Sequence, residues 1–509
     1  MTLNIIATIF NFIVTIGIGI FLTPFLVSHL GPANFGLIPL TTALIAYFAV
    51  FSQTVSAAIN RNLTIAIQRH DRALAQRIYF SAIVGVGVVI LVLIVPLALI
   101  SLNIGSLVNM PDGARAESQV LSLAMSSAFL LSVASTPFLA VIFAQNKTYL
   151  QALSLALQNV IRFGLTITLV LYVAASIANV GIAIAASVLV SFTFIVLSSF
   201  RVAPWLNPTR RGFDRREFRN LFRLSADIFV MQLGTVALMS SELVSVNLLF
   251  GEETGGRYAA VVQLAFMLRN VVVSLASLAA PVIIAHYARG DTEGVAKSTI
   301  RAMKLIAIAV ALPAGFLAAT ASDVLTVWLG AAFAEWANLL ALQAAMLVLS
   351  SVVLPVYSVC LAAQKYWAPG WAQVLCALLF IGLAWVGSGV LPGPVWLAFL
   401  FLGILIAKEL TYMIPYAARC IGISMWRFAL PVCYSIALFV AAYLCTKALG
   451  AVWPARSLFA LVGTGFIVTV PYLAAAWFLA TSGERVEARL LVVESRFGRR
   501  FGRTRPHSK

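Results

Sequence analysis

Arg162 and Arg269 each lie inside a long apolar run, at 149–175 and 257–287. At 1.5 Å rise per residue, about 20 Å of helix separates Arg162 from the start of its run, and about 18 Å separates Arg269 from the start of its own. A guanidinium does not give up its proton in a protein. At that depth a cation costs about 2.5–3.5 kcal/mol even on insertion scales. Each arginine therefore needs water, a carboxylate or an anionic ligand. Two carboxylates share the interior, Asp227 near one end of the run 224–250 and Glu242 deeper within it. Two chemistries fit. One is an Arg269–Glu242 ion pair that holds neighbouring helices together. The other is recognition of an anion, since a guanidinium offers paired hydrogen bonds to phosphate oxygens. Glu242 and Asp227 are also the candidates to carry a coupling H⁺ or Na⁺. Lys408 is a third intramembrane cation, and Glu409 beside it does not share its face on an α-helix.

Neutral polar residues accompany these charges. Asn4, Thr8, Asn11 and Thr15 form one stripe of a helix, as do Gln151, Gln158 and Arg162. Gln263 and Asn270 share a face beside Arg269, and Gln53 and Asn60 lie on the second apolar run. Such residues either bridge neighbouring helices or line a polar cleft. Asn11, Thr15, Asn60, Gln158, Gln263 and Asn270 are the candidates for the cleft.

Catalytic and metal-binding patterns are missing. No GxSxG, HExxH or phosphate-binding glycine loop occurs, and the four histidines have no ligand spacing. The five cysteines lie in or beside apolar runs without a CxxC, as plain buried thiols. The expectation is a non-enzyme with no catalytic residue, no metal and no cofactor.

The elements that carry these residues follow from composition. Hydrophobic residues make up 62% of the 509 and charged ones 10%, too little polar surface for a soluble globule. The first Lys or Arg is Arg61, so the N-terminus lacks the basic segment of a cleavable signal peptide. Long apolar runs predict an all-α polytopic membrane protein of about 14 transmembrane helices. They fall at 3–28, 37–66, 78–101, 119–144, 149–175, 178–200, 224–250, 257–287, 300–321, 334–363, 367–390, 394–418, 425–447 and 456–481.

Gly31 recurs as Gly251, Arg69 as Arg289 and Asp71 as Asp291; with a slip of one, Ala144-Gln145 recurs as Ala363-Gln364. That spacing predicts two parallel six-helix repeats. The domains expected are a lobe at 1–200, a basic linker at 201–223, a second lobe at 224–420, two further helices at 421–481 and a basic tail at 482–509. In the linker Phe218 and Phe222, and in the tail Val486, Leu490, Val493, Phe497 and Phe501, mark helical stripes suited to a lipid surface. Of the 34 Lys and Arg residues, 27 fall on one side of the helices, 4 on the other and 3 within them. The positive-inside rule then puts both termini in the cytoplasm. It also explains the net charge of +17 without nucleic acid.

Thr23-Pro24-Phe25-Leu26, Leu30-Gly31-Pro32 and Phe35-Gly36, with Asn11 before them and Asn60-Arg61 closing the second run, resemble the start of polysaccharide and O-antigen (Wzx-type) flippases. These belong to the multidrug/oligosaccharidyl-lipid/polysaccharide (MOP) superfamily, with MATE drug exporters and MurJ-type lipid II flippases as relatives. The chain departs from many of them in having no basic residue before its first helix. The resemblance implies two six-helix lobes that alternate between inward-open and outward-open forms in the bacterial inner membrane. It implies an undecaprenyl-pyrophosphate-linked oligosaccharide as cargo, with Arg61, Arg162 and Arg269 on the pyrophosphate. Membrane lipids, a polysaccharide polymerase and other assembly proteins are the implied partners. The competing readings are a MATE-like cation antiporter, which needs carboxylates to outweigh cations in the cleft, and a membrane-embedded polymerase.

Overall fold

The computed structural model describes residues 2–206, 226–391, 393–452 and 458–479. Most of the expected basic linker and the whole basic tail, with both of their apolar stripes, lie outside the described residues. Among those described, helix accounts for nearly all of the chain and no strand occurs. Among the described residues twelve segments are long and apolar enough to cross a membrane, so this is a multi-pass membrane protein.

The first part of the chain contains α1 (Thr2–Leu30), α2 (Pro32–Gln68), α3 (Arg72–Leu102), α4 (Arg115–Ala134), α5 (Thr136–Ala144), α6 (Tyr149–Tyr172) and α7 (Ile177–Val202). Then come α8 (Ala226–Ser277), α9 (Ala280–Ala288), α10 (Thr292–Ala319), α11 (Ala321–Leu329), α12 (Ala337–Val352), α13 (Leu354–Ala362) and α14 (Trp367–Ser388). The last are α15 (Val395–Ala407), a π-helical turn at Lys408–Met413, α16 (Ile414–Ile421), α17 (Trp426–Val452) and α18 (Leu458–Leu479).

Proline and glycine punctuate these helices. Pro32 opens α2 directly after Gly31, where its missing N–H costs nothing. Pro137 and Pro355 sit in the first turns of α5 and α13. Each breaks a run that reads as one helix in sequence, 119–144 or 334–363, because proline cannot donate to the preceding turn. The apolar span Phe229–Ala288, which runs through α8 and α9, is 60 residues long, about 90 Å as straight helix and far beyond a hydrocarbon core. Gly251 (φ 85°, ψ 176°) interrupts it in a conformation that only glycine adopts freely. Across that break Tyr258 bonds Glu242, and Gly255 lies against Asn247. The two arms therefore run back antiparallel as a hairpin. The count of fourteen crossings hinges on this division and on α18.

The corners of the two halves match in backbone. Gly31 (φ 76°) pairs with Gly251 (φ 85°), His70 (φ 56°) with Gly290 (φ 72°), and Asn146 (φ 55°) with Gln364 (φ 55°). Asp71 caps Leu74 N at 2.9 Å and Asp291 caps Gly294 N at 2.8 Å. The Lys147 amide donates to Ile142 O at 3.0 Å, as the Lys365 amide does to Cys360 O at 2.9 Å. Lys147 thus corresponds to Lys365 and Ala144 to Ala362. The slip between corners is two residues, one more than the sequence register suggests. At the chain's end Arg427 holds Glu293 in a paired bond of 2.7 and 2.8 Å, fastening α17 to α10.

The halves meet most closely at the Gly31 and Gly251 corners. A Cβ on Gly36 would lie 2.6 Å from Gly256 Cα, and one on Gly256 would overlap the Pro32 carbonyl. Backbone rests on backbone there. Beside it Asn109 and Asn247 clasp each other. The Asn109 amide donates to Asn247 Oδ1 at 2.9 Å, Asn247 Nδ2 donates to Asn109 O at 3.1 Å, and Asn109 Nδ2 donates to Asn247 O at 2.8 Å. Trp328 Nε1 reaches Ile20 O at 2.7 Å. Further along α2, Gln232 Nε2 donates to Gln53 Oε1 at 2.9 Å, with Phe51 and Phe229 in ring contact.

Asn247→Ala leaves the Asn109 amide and carbonyl without their partners, at a cost of about 1–3 kcal/mol to the closed corner. Amide hydrogen exchange across 103–114 should accelerate at least about fivefold. Unchanged exchange would show that the clasp does not hold this corner shut.

Candidate functional site

A cavity of about 460 Å³ lies between the two halves. Its walls come from α1 (Gly19, Thr23), α2 (Pro39, Thr42), α6 and α7 (Arg162, Val180), and both arms of α8 (Ser240, Gln263, Asn270). Arg162 supplies the one formal charge among the lining residues, and no carboxylate is among them. Its Nε is buried with no hydrogen-bond partner. An unmatched guanidinium donor in an apolar slab is costly, so Arg162 is set to donate to a ligand oxygen. Gln263 and Asn270 bring amides to the same space, and Thr42 and Ser240 bring hydroxyls. The arrangement suits an anion flanked by hydrogen-bonding groups.

Arg269 occupies a different space. It lines a pocket of about 40 Å³ inside the second half with Glu242, Gln343 and Ser350. Its Nη1 reaches Ser350 Oγ at 3.4 Å. The expected Arg269–Glu242 ion pair does not form among the described residues. Glu242 instead receives hydrogen bonds from Tyr258 Oη and from Gln343 Nε2 (2.8 Å). Its position 16 residues before Tyr258, across the Gly251 hairpin, puts those two side chains face to face.

The other expected residues separate by position. Arg61 is exposed and outside the cavity lining. It stands about 44 Å along α2 from Pro32, beyond a 30 Å hydrocarbon core. Thr15 bonds Asn11 O at 2.8 Å and accepts from Asn159 Nδ2 at 2.9 Å, so it ties α1 to α6. Asn11 and Asn60 each keep a buried, unpaired Oδ1. Neither they nor the half-buried Gln158 lines the cavity. Asp227 is within α8, and its side chain is outside the described residues.

Lys408 and Glu409 are paired, contrary to the α-helical expectation. Lys408 Nζ lies 2.8 Å from Glu409 Oε1, with side-chain exposures of 4% and 6%. Tyr357 Oη donates to Glu409 at 3.0 Å and accepts from Lys408 at 3.1 Å. The π turn at Lys408–Met413 re-aims the two neighbours. Pro415 in the first turn of α16 is the signal in sequence: without its N–H, the preceding turn gains nothing from regular α spacing. Nearby, Thr235 Oγ1 donates to Gln373 Oε1 at 2.6 Å. Helical periodicity does not single out Tyr258, Gln343, Ser350, Tyr357 or Gln373, which become partners only once helices distant in sequence pack together.

Lys408→Met should destabilise the protein by about 3–5 kcal/mol, because Glu409 is left buried and uncompensated. The Lys408→Met/Glu409→Leu pair should regain most of that loss in thermal unfolding. Equal stability of the single and double variants would contradict a paired role.

Comparison with known proteins points the same way. A family model described as "Polysaccharide biosynthesis protein" matches residues 1–286. The membrane protein EpsK of Bacillus subtilis (strain 168), described as uncharacterized, is 28% identical over 489 residues, covering 95% of this chain and 96% of EpsK. The lipid II flippase MurJ in an inward closed conformation superposes with TM-score 0.66 at 13% identity, over 93% of this chain and 98% of MurJ. An inward-facing MATE multidrug resistance transporter of the MOP superfamily gives TM-score 0.64 at 14% identity, over 85% of this chain and 95% of its own. The chain shares its fold with these two transporters, and it belongs to the polysaccharide biosynthesis protein family.

Proposed function

We propose that this protein moves an oligosaccharide linked to undecaprenyl pyrophosphate across the bacterial inner membrane during surface or exopolysaccharide synthesis. The carrying observation is Arg162: a half-buried cation whose buried Nε is unpaired, in a cavity between the halves that no carboxylate lines. A cargo with a negative head and a hydroxyl-rich glycan matches that lining. The pyrophosphate meets Arg162 through charge-assisted hydrogen bonds. Glycan hydroxyls meet Gln263, Asn270, Thr42 and Ser240, while the prenyl tail stays in lipid. Opening and closing of the halves about the Gly36–Gly256 contact supplies alternating access. Family membership supports the polysaccharide context.

The remaining parts of the reading rest on lesser observations. The Lys and Arg bias supports cytoplasmic termini. Glu242, buried and held by two donors, is the candidate to carry a coupling H⁺ or Na⁺. A polysaccharide polymerase is the natural partner to receive the cargo. Export of cationic drugs fits poorly, since the cavity lining carries a positive charge and no opposing carboxylate.

Arg162→Ala should abolish polymer export at a normal level of membrane-inserted protein. Arg162→Lys should recover only part of it, because a point charge lacks the two-pronged geometry. Full export by Arg162→Ala would refute the pyrophosphate role.

A further inference from the structure

A groove of about 750 Å³ runs between α14 and α15 with its π turn, and it shares no lining residue with the cavity between the halves. One wall is the exposed stripe Trp367, Trp371, Leu375 and Leu379, spaced four residues apart on one face of α14. Small residues keep the floor low, Ala372 on α14 with Gly403 and Ala407 on α15. A Cβ on Gly403 would meet nothing within 4 Å. From Trp367 to Leu379 is about 18 Å of helix, close to half of a hydrocarbon core about 30 Å thick. The groove is one leaflet deep.

Its two ends differ. The Leu379 end is aliphatic. At the other end Trp367 and Trp371 are in edge contact with ring centroids 6.0 Å apart, and Tyr412 of the opposite wall stacks on Tyr416 at 5.6 Å. Trp and Tyr gather where hydrocarbon meets headgroups. Just beyond them stand two exposed cations, Lys365 before α14 and Arg419 near the end of α16. Those two segments meet, since Lys365 is close enough to Cys420 to act on it electrostatically. Lys408 is the one charged residue in the lining, and its side chain is 4% exposed. Whatever fills the groove therefore lies against the buried Lys408–Glu409 pair.

We propose that this groove binds one anionic phospholipid from the leaflet on the Lys365 side, with an acyl chain along the α14 stripe and the headgroup phosphate at Lys365 and Arg419. The apolar walls offer a hydrocarbon chain what they deny a glycan, and the two cations give the phosphate charge-assisted hydrogen bonds. An undecaprenyl chain is far too long to be contained in a groove of one leaflet's depth. The acyl chain seals the stem of Lys408 from water and props α14 against the π turn. The site is independent of the cargo between the halves.

The test uses the full-length protein in phosphatidylcholine vesicles with a trace of phosphatidylglycerol or of phosphatidylcholine carrying a photoreactive diazirine in the acyl chain. Crosslinked peptides are identified by mass spectrometry. The anionic probe should mark 367–379 and 400–411 at least about fivefold more than the neutral one, because basic residues at a membrane surface attract anionic lipid. Gly403→Phe places a ring in open space and should lower the anionic probe's yield there to that of the neutral probe, with crosslinks on other lipid-facing helices unchanged. Ala372→Phe is the companion variant should Gly403→Phe insert poorly. Lys365→Gln with Arg419→Gln should keep the groove and erase the preference between probes. Undiminished crosslinking in both filled variants overturns the groove. Equal yields from the two probes in the native protein overturn the anionic headgroup. Crosslinks displaced by undecaprenyl phosphate and not by unlabelled phosphatidylglycerol would assign the groove to a prenyl chain and overturn the phospholipid.

Discussion

An arginine inside a hydrocarbon slab keeps its charge, and the fold around it has to supply a reason for it to stay. Arg162 and Arg269 receive opposite treatment. Around Arg162 the two halves leave a cavity with amides, hydroxyls and no carboxylate. Around Arg269 the second half closes to a pocket barely larger than a water, with Glu242 among its walls. One cation is presented to whatever enters between the halves. The other is enclosed.

The second half carries the heavier polar load. Glu242, Tyr258 and Gln343 form one cluster, and Lys408, Glu409 and Tyr357 form another. Glu242, Tyr258, Lys408 and Glu409 are buried while Gln343 and Tyr357 are half-buried, and Glu409 Oε2 keeps no hydrogen-bond partner. The first half has fewer such links, among them Ser154–Ser191 and Ser101–Ser122 hydroxyl pairs. The Gly36–Gly256 backbone contact joins the two halves. The Asn109–Asn247 clasp lies next to that contact and sets how readily the corner opens.

Much of this is legible in the residues. Run length predicts the membrane helices, and Gly31 and Gly251 mark matching corners from their spacing alone. Arg61 stands outside the cavity lining, and 29 residues of α2 precede it from Pro32, more than a bilayer core accommodates. The separation of Arg269 from Arg162 is not legible, because it depends on how Met239 and Phe266 pack across the α8 hairpin. The Lys408–Glu409 pair is hidden by a π turn whose one sequence mark is Pro415. Helical periodicity assigns a face correctly only where the helix keeps its α spacing.

If the space between the halves carries an anionic lipid-linked glycan, reconstitution tests it most directly. The full chain is placed in vesicles with undecaprenyl-pyrophosphate-linked oligosaccharide, and the glycan newly exposed on the opposite leaflet is titrated with a membrane-impermeant lectin. The expected result is protein-dependent appearance of glycan on that leaflet and no protein-dependent uptake of a cationic dye. Uptake of the dye with no movement of the glycan would contradict an anionic cargo.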